Sequence, residues 1–287
     1  MLIDLQTHST YSDGYLTPSE LAAALAKEGI KVASLTDHNS VGGQAEFFSA
    51  CKKFHIKAIT GLELYASFHR HKFNLLWYGF DHKSPDLSKL LSETQTRRRH
   101  QCRRALVRLI KLGFKINVDK LLAKYEGYVP INHVVDDIRV YQKNREKIVF
   151  DLKKKNPREE EIIYYYFYRQ KAFDLSNSYL NFQRVVNLRK KIGGLLILCH
   201  PCKHGRIDAD FLSLLKKSGL NGIEVLSPHH SISDIMYLQE IGQSLNLIES
   251  GGSDFHRFEN KRYPLQSPYQ WFRAESRLLR GVEKIIK

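Results

Sequence analysis

Five apolar runs in this chain of 287 residues end on or carry side chains that hold protons or metals. "MLIDLQTH" ends at His8, "IKVASLTDH" at Asp37 and His38, and "IKAITGLEL" carries Glu63. "GGLLILCHP" reaches His200, and "LIESGGSDFH" closes on Asp254 and His256. Short runs rich in Ile, Leu and Val, bounded by turn residues, read as strands. "FNLLWYGFD" and "LNGIEVLSP" read the same way. Helical stretches separate most of them: "TPSELAAALAKEG", "GQAEFFSACKKF", "ADFLSLLKKSG" and "HHSISDIMYLQEIGQSLN". The first has Thr17 as N-cap, Pro18 at the first helical position, Glu20 completing a capping box and Gly29 as the stop. This alternation indicates an α/β fold with a parallel sheet, open or closed into a barrel.

In such sheets the carboxyl ends of the strands form one rim, so residues far apart in sequence converge there. Buried charges are costly unless paired or metal-bound. Five strands all supplying His, Asp or Glu are therefore poorly explained by packing. Residues i and i+2 on a strand share a face, which pairs Gln6 with His8 and Asp254 with His256. Imidazoles mixed with carboxylates favour Zn, Mn or Fe over Ca or Mg. One carboxylate shared among several histidines suggests more than one ion. Multinuclear sites of this kind commonly hydrolyse phosphate esters, one ion generating hydroxide near neutral pH while others neutralise the phosphoryl oxygens.

The pattern changes between about residues 87 and 189. Stretches such as "LSKLLSETQTRRRHQCRRALVRLIKLG" place apolar residues at helical spacing among Arg and Lys. The expected organisation is a barrel of residues 1–86 and 190–287 with an inserted, mainly helical, basic subdomain of residues 87–189. From Arg97 to Lys171 there are 20 Lys/Arg against 9 Asp/Glu, so +11 of the net +15 lies there. A segment of this charge attracts phosphates, although a solvated helical face explains it equally well. The aromatic run in "EEEIIYYYFYRQKAF" reads as packing ahead of base stacking.

A hydrophobic fraction of 43% with 26% charged residues is that of a globular chain and argues against disorder. No run approaches the roughly 18 apolar residues of a membrane span, and the start lacks the features of a signal peptide. The four cysteines supply only one close pair, "CHPC", too little for a zinc ribbon or a disulfide framework. A reduced, cytoplasmic protein is the expectation.

The segments "DLQTHSTYSDGYLTPSEL", "LTDHNSVGG", "GLEL", "LCHP" and "GGSDFH" resemble, in order, motifs of the PHP (polymerase and histidinol phosphatase) superfamily. The likeness is to its stand-alone nucleotide and oligonucleotide phosphoesterases, which carry DLHxHSxxSDG, LTDHD, GxE, HxxGYG, HPG and GSDxH. The resemblance implies a distorted (β/α)7 barrel with metals on its rim. It implies two or three divalent ions, Mn or Zn foremost, with Fe or Mg as alternatives. His8, Glu63 and Asp254, with the group at position 6, would hold the first. Glu63 would bridge to a second ion held also by His200 and the group at position 74, and Asp13, His38 and His256 would hold a third. Glu63, Asp254 and His200 are the expected catalytic residues.

Two positions depart from the motifs. Gln6 stands where the first His of HxH belongs, and Asn74 where the His of HxxGYG belongs. An amide is a weaker ligand for Zn than an imidazole, so the first two ions are expected at incomplete occupancy. His71, three residues from position 74, points to the opposite face of a continuous strand, so compensation by His71 or His69 needs a bulge or a loop there. Lys203, after "HP", and His133, in "VPINHVVDD", are candidates for gripping phosphate, and His229 or His230 for lining the rim. The expected function is hydrolysis of a nucleotide phosphomonoester or of the end of a short oligonucleotide. An impaired domain that binds nucleotide or nucleic acid, and histidinol-phosphate hydrolysis, are the alternatives.

Overall fold

The computed structural model describes residues 1–169, 178–258 and 272–287. Among these, nine strands form one sheet: β1 (Leu2–Thr7), β2 (Val32–Leu35), β3 (Lys57–Phe68), β4 (His71–Tyr78), β5 (Leu180–Asn181), β6 (Leu195–Leu198), β7 (Gly222–Leu226), β8 (Ile248–Gly251) and β9 (Ala274–Glu275). The order is β8-β7-β6-β4-β3-β2-β1-β9, with β5 beside β3. Pairs β1–β2, β2–β3, β6–β7 and β7–β8 are parallel, as expected. β4 instead runs antiparallel to both β3 and β6. The reason is the connection: only His69 and Arg70 join β3 to β4, and a parallel partner needs a crossover of a dozen residues. His69 takes the left-handed backbone (φ 51°) that this tight turn requires.

Helices follow the strands. α1 (Pro18–Lys27) begins at Thr17, whose side chain accepts from the Glu20 amide, while the Glu20 carboxylate accepts from the Thr17 amide. Leu21, Ala22 and Leu25 on its buried face meet Phe47 and Cys51 of α2 (Gln44–Lys53) over Ala33 and Leu35. After β4 come α3 (Pro85–Lys111), α4 (Val118–Leu122), α5 (Ile131–Arg139), α6 (Gln142–Leu152) and α7 (Glu159–Ile163). α8 (Phe182–Ile192), α9 (Ala209–Lys217), α10 (Ile232–Ser244) and α11 (Glu283–Ile286) belong to the returning half.

The chain divides into two compact units, Met1–Ser88 with Leu180–Lys287, and Lys89–Tyr179. The second has its own core, in which Leu106, Leu109, Phe114, Val134, Val135 and Phe167 pack together. Part of its basic character is structural: Arg98 is buried over the Tyr128 ring and donates to the Val129 carbonyl at 2.8 Å. Within the aromatic run, Tyr166 and Phe167 are buried and Tyr164 is exposed, while Gln170 to Phe173 lie outside the described residues.

The sheet of the first unit curls into a nearly closed barrel. β1 and β8 share no ladder; closure falls to the segment just after β8. Thr7 pairs in parallel with Phe255, and the His8 amide donates to the Phe255 carbonyl at 2.9 Å. Deeper in, the buried Asp4 carboxylate accepts from the Ser253 amide (2.9 Å), the Ser253 hydroxyl (2.6 Å) and the Gln6 amide (3.3 Å). The approach is so close that a Cβ on Gly252 would lie 2.4 Å from the Gln6 nitrogen, so only glycine fits. Hydrogen bonds to a charged group contribute about 1.5–3 kcal/mol each, so Asp4→Ala should lower the unfolding free energy by roughly 3 kcal/mol in urea titration. A loss under about 1 kcal/mol would contradict this account of closure.

Candidate metal centre

Every expected residue except His133 lies in the first unit; His133 is on α5 in the second. His8 follows β1, Asp37 and His38 follow β2, Cys199 and His200 follow β6, and Asp254 and His256 follow β8. Glu63 lies mid-way along β3, and its strand is tied to the end of β2: the Asn39 amide donates to the Glu63 carbonyl at 2.8 Å. Because β4 is antiparallel, its N-terminal half reaches this same rim, and Asn74 sits opposite Tyr65. Three strand-end residues adopt the left-handed backbone, Asn39 (φ 47°), His200 (φ 27°) and Asp254 (φ 51°). Each such residue costs roughly 1–3 kcal/mol and persists only where its surroundings enforce it.

The donor atoms fall into three overlapping groups, each with its atoms within 4.8 Å of one another. One is His8, Glu63 and Asp254, with His8 Nε2 3.1 Å from both Glu63 Oε2 and Asp254 Oδ1. A second is Glu63, Cys199 and His200, with His200 Nε2 3.5 Å from Glu63 Oε1. The third is His8, Asp13, His38 and His256, around the Asp13 carboxylate at 3.4–3.6 Å. His8 therefore serves two groups, one through each ring nitrogen. Its ring stacks on His256 at 4.2 Å between centroids.

Electrostatics suit a cation. Burial alone would raise the Glu63 pKa, but His38, His200 and His8 hold it well below the usual carboxylate range. Burial likewise opposes ionisation of Asp13 and Asp254, and His38 and His256 in one case, Lys203 and His256 in the other, overcome it. Burial outweighs nearby Glu63 and Asp13 at His38 and lowers its pKa to about 4, leaving a neutral imidazole. At His8 and His256 the neighbouring carboxylates overcome burial and raise the pKa, so an ion binding there displaces protons, because ligands must be deprotonated. The residues fit divalent ions.

The two amides are turned toward the acidic residues. Asn74 Nδ2 donates to Glu63 Oε1 at 2.6 Å. Gln6 Nε2 lies 3.2 Å from Glu63 Oε2, 3.0 Å from Asp254 Oδ1 and 3.0 Å from Cys199 Sγ. The β3–β4 ladder is continuous from Gly61↔Tyr78 to Phe68↔His71, without the bulge that compensation by His71 would need. His71 stacks on Phe211, and His69 packs edge-on to Phe68. Lys203 Nζ approaches Asp254 Oδ2 at 3.4 Å, and His229 Nε2 approaches the same oxygen at 2.7 Å. His230 points elsewhere, Nδ1 to the Val225 carbonyl at 2.9 Å.

Three further residues at the site were given no role there by the sequence. Asp37 fastens the loop after β1, accepting from the Ser9 amide and the Ser9 and Ser12 hydroxyls at 2.6–2.7 Å. Glu224, wholly buried, accepts from the His200 amide at 2.8 Å, and burial raises its pKa well above the ordinary value. Cys199 is the third. Glu224 was visible as the lone charge inside "GIEVL", and Cys199 as the neighbour of His200.

The sequence model of the PHP domain matches residues 4–209. A phosphoribosyl 1,2-cyclic phosphate 1,2-diphosphodiesterase of Eggerthella lenta is 26% identical over 263 residues, 89% of this chain and 94% of that protein. A 3',5'-nucleoside bisphosphate phosphatase of Chromobacterium violaceum is 28% identical over 263 residues, covering 88% and 87%. A 5'-3' exoribonuclease of Haemophilus influenzae is 24% identical over 256 residues, covering 88% and 89%. The fold is shared with a crystallised Chromobacterium violaceum protein described as an amidohydrolase with bound sulfate and no metal (TM-score 0.74, 22% identity, 100% and 96% covered). It is shared too with a Bifidobacterium adolescentis protein assigned as a metal-dependent phosphoesterase (TM-score 0.76, 20% identity, 99% and 95% covered). With the family match running from β1 to the start of α9, over the strand ends that carry His8, His38, Glu63 and His200, the chain belongs to the PHP domain family.

Proposed function

We propose that the chain hydrolyses a phosphomonoester of a nucleotide, or the terminal phosphate ester of a short oligonucleotide, using two or three divalent ions on the barrel rim. The chain is a metal-dependent phosphoesterase of the PHP family; the substrate and the residue roles are the proposal. One observation carries it: His8, Asp13, His38, Glu63, Cys199, His200, Asp254 and His256 gather into three donor groups linked through Glu63 and His8. When bound, divalent ions supply Lewis acidity to phosphoryl oxygens and acidify water near neutral pH.

The chain's own residues divide the remaining work. Glu63 faces two groups, one through each carboxylate oxygen, and fixes their spacing. Asp254 orients His229, and this pair moves the proton between water and the leaving oxygen. Lys203, one-third exposed beside Asp254, presents an ammonium to the phosphate. The names of the relatives favour a ribose-linked phosphate: a phosphoribosyl cyclic phosphate, a nucleoside bisphosphate and RNA. The net +11 over residues 97–171 suits an anionic substrate in each case.

Full-length protein supplemented with Mn or Zn should release phosphate or nucleotide from a panel of nucleoside mono- and bisphosphates and short oligonucleotides. A chelator should abolish that release, and Glu63→Gln should lower kcat/KM by roughly 100-fold or more. Release that survives chelation would contradict the reading.

One feature favours the impaired alternative: Gln6 and Asn74 donate to Glu63 where the family motifs carry imidazole ligands. Restoring both, by Gln6→His with Asn74→His, should raise the number of ions bound per chain, measured by elemental analysis. Wild-type protein silent on the whole panel, beside an active double variant, would identify a domain kept for binding.

A further inference from the structure

Of the four cysteines, Cys51 and Cys102 sit in apolar cores, whereas Cys199 stands among the acidic and imidazole groups of the rim. It is buried, with Sγ 3.4 Å from Glu63 Oε1, 3.0 Å from Gln6 Nε2 and 3.8 Å from Glu224 Oε2. The donor atoms of Glu63, Cys199 and His200 lie within 4.8 Å of one another. Consecutive residues on a strand point to opposite faces. Here β6 has ended, and the left-handed backbone at His200 (φ 27°) turns both side chains onto Glu63.

The Cys199 thiol is aimed at two carboxylates, donating toward Glu63 Oε1 and Glu224 Oε2. Gln6 Nε2 has two hydrogens for three acceptors, Glu63 Oε2, Asp254 Oδ1 and Cys199 Sγ. Gln6 Oε1, buried in the same cluster, has no hydrogen-bond partner. A cation is the partner that such a surplus of buried acceptors lacks.

We propose that Cys199 is itself a metal ligand, completing with Glu63 and His200 a sulfur–oxygen–nitrogen site for a thiophilic divalent ion such as zinc or cobalt. The inference rests on the reading of the rim as a metal-dependent phosphoesterase site. It supplies the strong donor missing at Asn74 from the neighbouring strand end instead. Binding forms the sulfur–metal bond and releases the thiol proton to solvent. Thiolate donors select zinc-like ions, whereas carboxylates suit Mn and Mg. The rim would thus combine one sulfur-bearing position with the sulfur-free group of His8, Asp13, His38 and His256.

Cobalt(II) tests this without any assay of activity. The full-length protein loaded with cobalt should show a thiolate-to-cobalt charge-transfer band in the near ultraviolet. The band should persist in Cys202→Ser, and vanish in Cys199→Ser together with one cobalt equivalent per chain. If Cys199→Ser does not fold, the wild-type spectrum decides alone. Bound cobalt without the band, or a band that survives Cys199→Ser, overturns the inference. Phosphate release with Mn, in a protein whose cobalt form lacks the band, overturns it and leaves the phosphoesterase reading standing. Absence of any bound cobalt overturns the inference and undermines that reading as well.

Discussion

The burial of Glu63 is the constraint on which the rest of the site depends. An ionised carboxylate with no access to solvent is tolerated only when its charge is answered locally. Around Glu63 the answer comes from many directions at once: His8, His200 and the amides of Gln6 and Asn74 converge on its two oxygens. Its backbone is fixed as well, bridged to His38 and bonded to Asn39. A residue held this firmly cannot relax away from its partners. The charge it brings must therefore be balanced by cations, hydrogen-bond donors, or both.

The barrel exists to bring those partners together. Closure between β1 and the segment after β8 sets His8 beside Asp254 and His256, residues separated by almost the whole chain. Asp4 and Ser253 hold that seam, and Gly252 permits the approach. The same seam places Gln6, whose backbone meets Gly252 and whose side chain reaches Glu63 and Asp254. Stability and chemistry are thus coupled through one strand.

Much of this was legible in the sequence because it rests on local rules. Apolar runs ending in His, Asp or Glu locate the strand ends, and parallel pairing then gathers His8, His38 and Glu63. The capping box at Thr17 likewise fixes the start of α1. What escaped depends on facts that no local pattern carries. The antiparallel course of β4 follows from a two-residue turn, and it is this reversal that brings Asn74 to the rim. Cys199 was read only as half of a CxxC pair; strand periodicity would send it away from His200, and the left-handed turn at His200 cancels that rule. Of the adjacent His229 and His230, only the first meets Asp254, a choice set by the turn between β7 and α10. Arg98 was counted as surface charge although it is buried against Tyr128.

The central claim is that the acidic and imidazole groups around Glu63 form a seat for divalent ions. Anomalous diffraction at the zinc edge, from crystals grown with zinc and phosphate, tests it most directly. The account predicts anomalous peaks within bonding distance of Glu63 and of the Asp13, His38 and His256 group. Crystals grown in this way that show no anomalous peak beside Glu63, with its carboxylate still held by Gln6, Asn74 and the neighbouring imidazoles, would contradict it.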